Sequence, residues 1–367
     1  MCKKKIMLVF GTRPEAIKMC PLVNELKSHD EFEVIVCVTG QHKEMLDQVL
    51  NVFDVVPDYN LDIMKPKQSL TQITTNILIG IEEVLQKEKP DVVLVHGDTT
   101  TTFSTALASF YNEIPVGHVE AGLRTYNMRS PFPEEFNRHG VGLVADYHFA
   151  PTERSANNLK IENKNLDDIY ITGNTAIDAL NTTVASDFEH EELEWVGDSR
   201  LILVTAHRRE NIGQPLENIA KAILELVDNN PDVKVIYPVH LNPVIRDTIE
   251  PIIGNHERIH LIEPLEVIDF HNFIAKSYFV MSDSGGIQEE APSLGKPVLV
   301  LRDTTERPEG VTANTLKLVG TELEDIIANA QLLLNDETEY TRMSKASNPY
   351  GDGTASKQIA KVLLEKL

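Results

Sequence analysis

Chemistry-bearing residues gather where short apolar runs end. The run Ile6–Phe10 leads into Gly11-Thr12-Arg13-Pro14-Glu15, with Lys18 a turn later. Glycine allows a tight turn and Pro14 suits a first helical position. A helix N-terminus beside Arg13 and Lys18 is therefore an anion site in prospect. The run Asp91–Val95 ends in His96-Gly97-Asp98-Thr99-Thr100. Asp98 is either an N-cap or an acid/base group. Val116–Val119 ends in Glu120, followed by Ala121-Gly122-Leu123-Arg124, and in Pro131-Phe132-Pro133-Glu134-Glu135 the second proline begins a helix with Glu134 at its positive end. Carboxylates placed directly after buried strands lie at the edge where ligands of open α/β sheets bind. Asp98, Glu120 and Glu134 would converge on one end of one sheet, a set suited to proton transfer.

The second half repeats this logic with phosphate chemistry. One run ends in Thr205-Ala206-His207-Arg208-Arg209-Glu210-Asn211, and another in Tyr237-Pro238-Val239-His240. His207, next to two arginines, suits a phosphate. The most specific segment is Ser282-Asp283-Ser284-Gly285-Gly286-Ile287-Gln288-Glu289-Glu290. Its glycines expose N–H groups that can approach a diphosphate closely, and Glu290, one helical turn beyond Gly286, is placed for a ribose diol. Arg302 to Gly310 adds polar side chains at the same edge, Arg307 among them.

The elements that must position these groups follow from periodicity. Strands are expected at Ile6–Phe10, Glu33–Thr39, Asp91–His96, Pro115–Val119, Tyr147–Ala150, Leu201–Thr205, Lys234–Pro238, His260–Ile262, Phe279–Ser282 and Pro297–Leu301, with helices such as Pro14–Leu26, Thr100–Tyr111, Pro215–Asn229 and Leu323–Leu334 between them. Several strands are apolar on both faces, as buried parallel strands are. Sustained alternation indicates doubly wound sheets, so the fold class is α/β, with two such units in tandem and a cleft facing both carboxyl edges. The length of 367 residues fits two domains. The break falls in 181–200, where Asp187, Glu189, Glu191, Glu192 and Glu194 crowd together and read as a solvated connector.

Composition narrows the function classes. The 34 Lys+Arg against 56 Asp+Glu give a net charge of −22, which repels nucleic acid and anionic membranes at long range. Any anionic ligand needs a local cationic grip. The apolar run Ile6–Phe10 is too brief for a signal peptide or membrane span, and three sparse cysteines suit reduced thiols, so a cytoplasmic protein is expected. Cys20, within a helical run, reads as a packed hydrophobe. No P-loop and no zinc-type Cys/His spacing occurs, and Gly140-Val141-Gly142-Leu143-Val144-Ala145, which fits a dinucleotide fingerprint, lacks the preceding strand that fingerprint needs. Neither metal nor cofactor is expected.

Together, Gly11-Thr-Arg-Pro-Glu15, His96-Gly-Asp-Thr-Thr100, His118-Val-Glu-Ala-Gly-Leu-Arg-Thr125, Pro133-Glu-Glu135, His207-Arg-Arg-Glu-Asn211 and Ser282 to Pro292 resemble the non-hydrolysing UDP-N-acetylglucosamine 2-epimerases, from about residue 5 to the C-terminus. The resemblance implies a glycosyltransferase-B-like fold of two Rossmann-like domains, 1–175 with the catalytic carboxylates and 176–353 with the UDP site, while 354–367 forms a helix packing back on the first. It implies a homodimer and reversible conversion of UDP-N-acetylglucosamine to UDP-N-acetylmannosamine for cell-surface polysaccharides. It assigns Asp98, Glu120, Glu134 and His207 to catalysis, and Arg13, Lys18, Phe270, Ser284, Gly285, Gly286, Glu290 and Arg307 to the UDP-sugar. Phe270 would lie near the uracil. Gln41, His42, Gln68, Arg208 and His240 resemble a second UDP-N-acetylglucosamine site that activates the enzyme. Two positions depart from the family pattern: Lys67 stands where Arg is expected, and Tyr126 where Gly is common. A glycosyltransferase of the same fold, a hydrolysing 2-epimerase and a nucleotide-sugar sensor without turnover are the rival readings.

Overall fold

Strands that are apolar from end to end bury both faces of a sheet, and only parallel sheets covered by helices on both sides provide that environment. The computed structural model of the chain describes residues 3–40, 43–65 and 67–367, apart from the side chains of 43–45. Its first sheet contains β1 (Lys4–Phe10), β2 (Phe32–Val38), β3 (Tyr59–Asn60), β4 (Val92–His96), β5 (Val116–Val119), β6 (Tyr147–Ala150) and β7 (Ile169–Ile171) in the order β3-β2-β1-β4-β5-β6-β7. The second contains β8 (Arg200–Thr205), β9 (Val233–Pro238), β10 (Ile259–Ile262), β11 (Phe279–Ser282), β12 (Val298–Val300) and β13 (Leu316–Leu318) in the order β10-β9-β8-β11-β12-β13. Neighbouring strands pair in parallel throughout both sheets.

Both sheets reverse direction at the same relative place. β4 pairs with β1 on the side opposite β2, and β11 pairs with β8 on the side opposite β9. At such a switch point the connections leave in opposite directions and open a crevice at the carboxyl edge. The turns after β1 and β4, and after β8 and β11, carry the motifs singled out above. Every expected strand is present, with ends moved by a residue or two. β3, β7 and β13 are additional; each has only two or three residues at or beside a sheet edge, too short for a periodic signal.

The chain forms two units, one of residues up to Thr182 with Tyr350–Leu367, the other Thr183–Pro349. The break at 182/183 lies within the expected 181–200 stretch and later than the 175 the resemblance implies, and the return at 349/350 comes earlier than the implied 353. Helix Thr175–Thr183 stays with the first unit because Ala176, Ile177, Ala179 and Leu180 are buried. The chain re-enters that unit at Tyr350, whose carbonyl accepts from Asn174 N at 2.7 Å. There Gly173 (φ +85°) and Gly351 (φ +119°) cross so closely that a Cβ on Gly173 would lie 3.3 Å from Gly351 Cα. Only glycines tolerate both the approach and the dihedrals. Helix Ala355–Lys366 then packs on helix Arg13–Lys27.

The acidic stretch is not simply a solvated connector. Residues Glu191–Val196 form a helix, and Phe188, Leu193 and Trp195 between the acids pack against the core of the second unit. Trp195 stacks on His260 at 3.5 Å, and Glu192 pairs with the same imidazole at 2.5 Å. The acids outnumber the apolar residues in composition, but the apolar ones face inward. The fingerprint-like string lies inside helix Glu134–Val144, where a Cβ on Gly140 would strike the Phe103 ring at 2.7 Å, so its small residues serve helix packing.

Candidate active site

In the first unit the β1 turn is fixed by a buried carboxylate. Thr12 caps helix Arg13–Lys27, and Glu15 accepts from Gly11 N (3.0 Å), Thr12 N (2.8 Å), Thr12 Oγ1 (2.8 Å), Thr99 Oγ1 (2.7 Å) and Thr102 Oγ1 (3.2 Å). Burial pushes its pKa up while these donors pull it back. Glu15 thus ties the β1 turn to the β4 turn across the switch point. Arg13, at the first helical position, makes no side-chain hydrogen bond or ion pair among the described residues.

Glu120 follows β5 in a left-handed conformation, φ +62°. Its Oε1 receives Lys18 Nζ and, at 3.1 Å, Asn174 Nδ2. The ammonium expected at a phosphate is therefore paired with a carboxylate. Behind it stands buried His96, whose Nε2 makes no hydrogen bond and lies 3.9 Å from Glu120 Oε2. Burial lowers the His96 pKa to about 4, so the ring is neutral at ordinary pH. Asp98, after β4, is gripped by Arg138 through Nε at 2.9 Å and Nη2 at 2.7 Å. Arg138 also donates to Glu135 Oε2 at 3.1 Å. Although burial alone would raise it, the Glu135 pKa is held down by Thr125 and Tyr126 N–H groups and by Arg138.

Helix Glu134–Val144 starts one residue later than expected, with Pro133 as its cap residue. Glu134 lies on its first turn, with no hydrogen bond or ion pair at its carboxylate among the described residues. Asn137 of the same helix donates to the Asp98 carbonyl at 2.8 Å, and a Cβ at Gly97 would lie 3.2 Å from Glu120 Oε2. The structure thus gathers Asp98, Glu120 and the Glu134 helix at one edge. Crowding of three acids is relieved by two cations. The sequence points Lys18 toward a phosphate and singles out neither Arg138 nor Asn174. Arg138 lies one turn after Glu134, a spacing that could have revealed it.

In the second unit, Ser284-Gly285-Gly286 joins β11 to helix Ile287–Ser293. A Cβ on Gly285 would lie 3.8 Å from a guanidinium nitrogen of both Arg208 and Arg307, so two cations flank the bare turn. Arg307 is itself oriented by buried Glu289. Glu290 stands beside Gly286, 3.4 Å from where its Cβ would be, and 3.7 Å from His271 Nε2. His271 follows Phe270 on helix Val267–Lys276, which brings the candidate uracil neighbour to the same edge. His207 follows β8, and burial lowers its pKa against the opposing pull of Asp283. It stacks on His240 at 5.4 Å. Asp283 anchors the turn after β8, a role the sequence did not single out.

Of the proposed activator residues, Gln41 and His42 lie outside the described residues. Gln68 stitches its own loop, accepting from Lys65 N at 2.7 Å and donating to Ile63 O at 2.9 Å. Arg208 and His240 stand next to the Gly285–Gly286 turn and His207 respectively. Lys67 is exposed with φ +60°, and Tyr126 has φ +59°. The second value explains why glycine suits this position: the loop needs a left-handed residue, and here Glu135 holds Tyr126 N at 2.8 Å.

The UDP-N-acetylglucosamine 2-epimerase family model matches residues 24–364. The chain belongs to this family. The Bacillus subtilis UDP-N-acetylglucosamine 2-epimerase is 62% identical over 364 residues, spanning 99% of this chain and 96% of its own. A solved UDP-N-acetylglucosamine 2-epimerase structure, 60% identical, matches with a TM-score of 0.94 over 100% of this chain and 96% of that one. The Neisseria meningitidis UDP-GlcNAc 2-epimerase, solved bound to UDP-GlcNAc, is 51% identical with a TM-score of 0.88 over 98% and 100%. With these matches, the two Rossmann-like sheets are those of a glycosyltransferase-B-type fold. Among the described residues no helix is long and apolar enough to cross a membrane, and no cluster of His, Cys, Asp and Glu is arranged to hold a metal ion.

Proposed function

We propose that the protein interconverts UDP-N-acetylglucosamine and UDP-N-acetylmannosamine without net hydrolysis. The observation that carries this reading is the gathering of Asp98, Glu120 and the Glu134 helix at the β1/β4 switch point, with Lys18 and Arg138 balancing their charge. A glycosyl transfer needs fewer acids at the sugar.

The C2 hydrogen is not next to a carbonyl, so a carboxylate cannot remove it from the intact substrate. Breaking the anomeric C–O bond sends the electron pair to UDP and leaves an oxocarbenium-like C1, which acidifies C2. A carboxylate takes the C2 proton, the C–H electrons form the C1=C2 double bond, and the products of this anti elimination are 2-acetamidoglucal and UDP. Re-addition with protonation from the opposite face gives the epimer. Arg13, His207, Arg208, Arg307 and the Gly285–Gly286 turn stabilise the departing diphosphate, and the three carboxylates serve the two faces of C2. Phe270 and Glu290 receive the uridine. The product supplies cell-surface polysaccharide synthesis in the cytoplasm.

We further propose a homodimer and activation by a second UDP-N-acetylglucosamine. Exposed Ile79, Phe110, Tyr111, Phe136 and Leu143, on three helices packed in succession, support a covered face. His240 stacked on His207 supports an activator contact beside the catalytic histidine.

Incubation with UDP-N-acetylglucosamine alone in D₂O, followed by NMR, tests the reading. Deuterium at C2 together with UDP-N-acetylmannosamine is expected, with rate rising sigmoidally in substrate. Free N-acetylmannosamine would identify a hydrolase, and unchanged substrate a transferase or sensor. A hyperbolic rate from UDP-N-acetylmannosamine without added activator would remove the allosteric part alone.

A further inference from the structure

Asp283 directly follows β11, with a fully buried carboxylate of which only one oxygen is used. Oδ2 accepts from His207 N at 2.8 Å, Arg208 N at 2.8 Å and Asn211 Nδ2 at 2.9 Å. Three donors converging on one oxygen fix the carboxylate plane. Oδ1 is buried with no hydrogen-bond partner, and it lies 3.7 Å from His207 Nδ1. A buried acceptor left unpaired costs on the order of 1–3 kcal/mol, so a nearby N–H is strongly favoured there.

His207 is held from two further directions. Its ring stacks on His240 with an interplanar angle of 13°, and its backbone N–H is bound by the Asp283 carboxylate itself. The charged or titratable groups facing it are Asp283 from the turn after β11, His240 from the segment after β9, and its neighbour Arg208. Of these only Asp283 is an acceptor aimed at a ring nitrogen. We propose that Asp283 is a positioning residue that holds His207 as its Nδ1–H tautomer and tightens to a hydrogen bond when substrate is bound. Nε2 then faces the diphosphate; a proton taken from solvent makes the ring an imidazolium that donates Nε2–H to the departing phosphate oxygen, with Asp283 as counter-charge at Nδ1. This rests on the reading that His207 serves the departing diphosphate.

A purely structural Asp283 makes a different forecast. Asp283→Asn keeps an oxygen for the three donors now on Oδ2 and turns an NH₂ toward His207 Nδ1. That NH₂ requires a lone pair on Nδ1 and forces the proton to Nε2. We expect Asp283→Asn to lower kcat by about 10²-fold or more, with KM for UDP-N-acetylglucosamine changed less than about threefold. Long-range ¹H–¹⁵N spectra of the UDP-bound protein should move His207 from the Nδ1–H to the Nε2–H pattern. His207→Asn should be slow, and adding Asp283→Asn to it should cost nothing more. The wild-type spectrum is decisive even if the variant fails to fold: an Nε2–H His207 overturns the proposal. Unchanged kcat in Asp283→Asn beside a slow His207→Asn overturns this inference and leaves the diphosphate role of His207 standing. Unchanged kcat in His207→Asn removes that role and this inference with it.

Discussion

Glu120 occupies a left-handed backbone conformation that costs a non-glycine residue roughly 1–2 kcal/mol. Strain of that kind persists where the surroundings over-determine it, and Lys18, Asn174 and the wall of His96 do so here. Glu15, from the neighbouring turn, is the structural counterpart: buried, saturated with donors and turned away from solvent. The two carboxylates should fail differently. Asp98→Asn, Glu120→Gln and Glu134→Gln are each expected to lower turnover by roughly 10²–10⁴ while the fold stays intact. Glu15→Gln should lower the unfolding midpoint first, because the amide cannot accept at both oxygens. Paired kcat and urea measurements on the four variants separate the roles, and near-normal turnover in any of the first three removes that residue from the scheme. Residue type and position after a strand made Asp98 and Glu120 readable in the sequence. The Lys18–Glu120 pairing was not readable, because it joins residues 102 apart and depends on which strands become neighbours.

At the scale of elements, apolar runs reveal central strands because burial on both faces leaves no other composition. They reveal little about β3 or β13, whose brevity erases the pattern, or about helix Glu191–Val196, whose acids mask an inward apolar face. The central strands also carry something their composition hides. β4, β5 and β6 are neighbours, and each contributes a buried histidine: His96, His118 and His148. Burial lowers their pKa values to about 4, about 4 and about 3 from 6.5. As pH falls the unfolded chain takes up these protons first. The stability they allow is complete above about pH 6.5 and is lost progressively toward pH 4, by up to about 3 kcal/mol for each. Urea midpoints should therefore decline from pH 7 to pH 4.5, and His148→Gln should flatten that slope. A wild-type midpoint that stays level over this range would contradict the burial of neutral imidazoles.

For the whole molecule, the net charge of −22 says little about the site, because the cations that matter are local. Lys18 and Arg138 face acids, while Arg208 and Arg307 flank a glycine turn. Chain connectivity is the more consequential global feature. The first unit is completed by residues from Tyr350 onward, so its stability depends on how the returning helix is fastened. Helix Ala355–Lys366 buries Ala355, Ile359, Ala360 and Leu363, yet its cap residue Thr354 supplies no side-chain cap. The missing acceptor comes from Asp178, which takes Ala355 N at 3.1 Å and Ser356 N at 2.7 Å across the fold. A cap provided from so far away in sequence has no local signature. Asp178→Ala leaves those two N–H groups without an acceptor in a buried setting, at a cost of about 1–3 kcal/mol. Asp178→Asn, which keeps one acceptor oxygen, should lose about half as much. The deficit should appear in hydrogen exchange across helices Ala355–Lys366 and Arg13–Lys27, with the second unit, Thr183–Pro349, protected as before. Unchanged exchange in Asp178→Ala would mean that the apolar face alone fastens the returning helix.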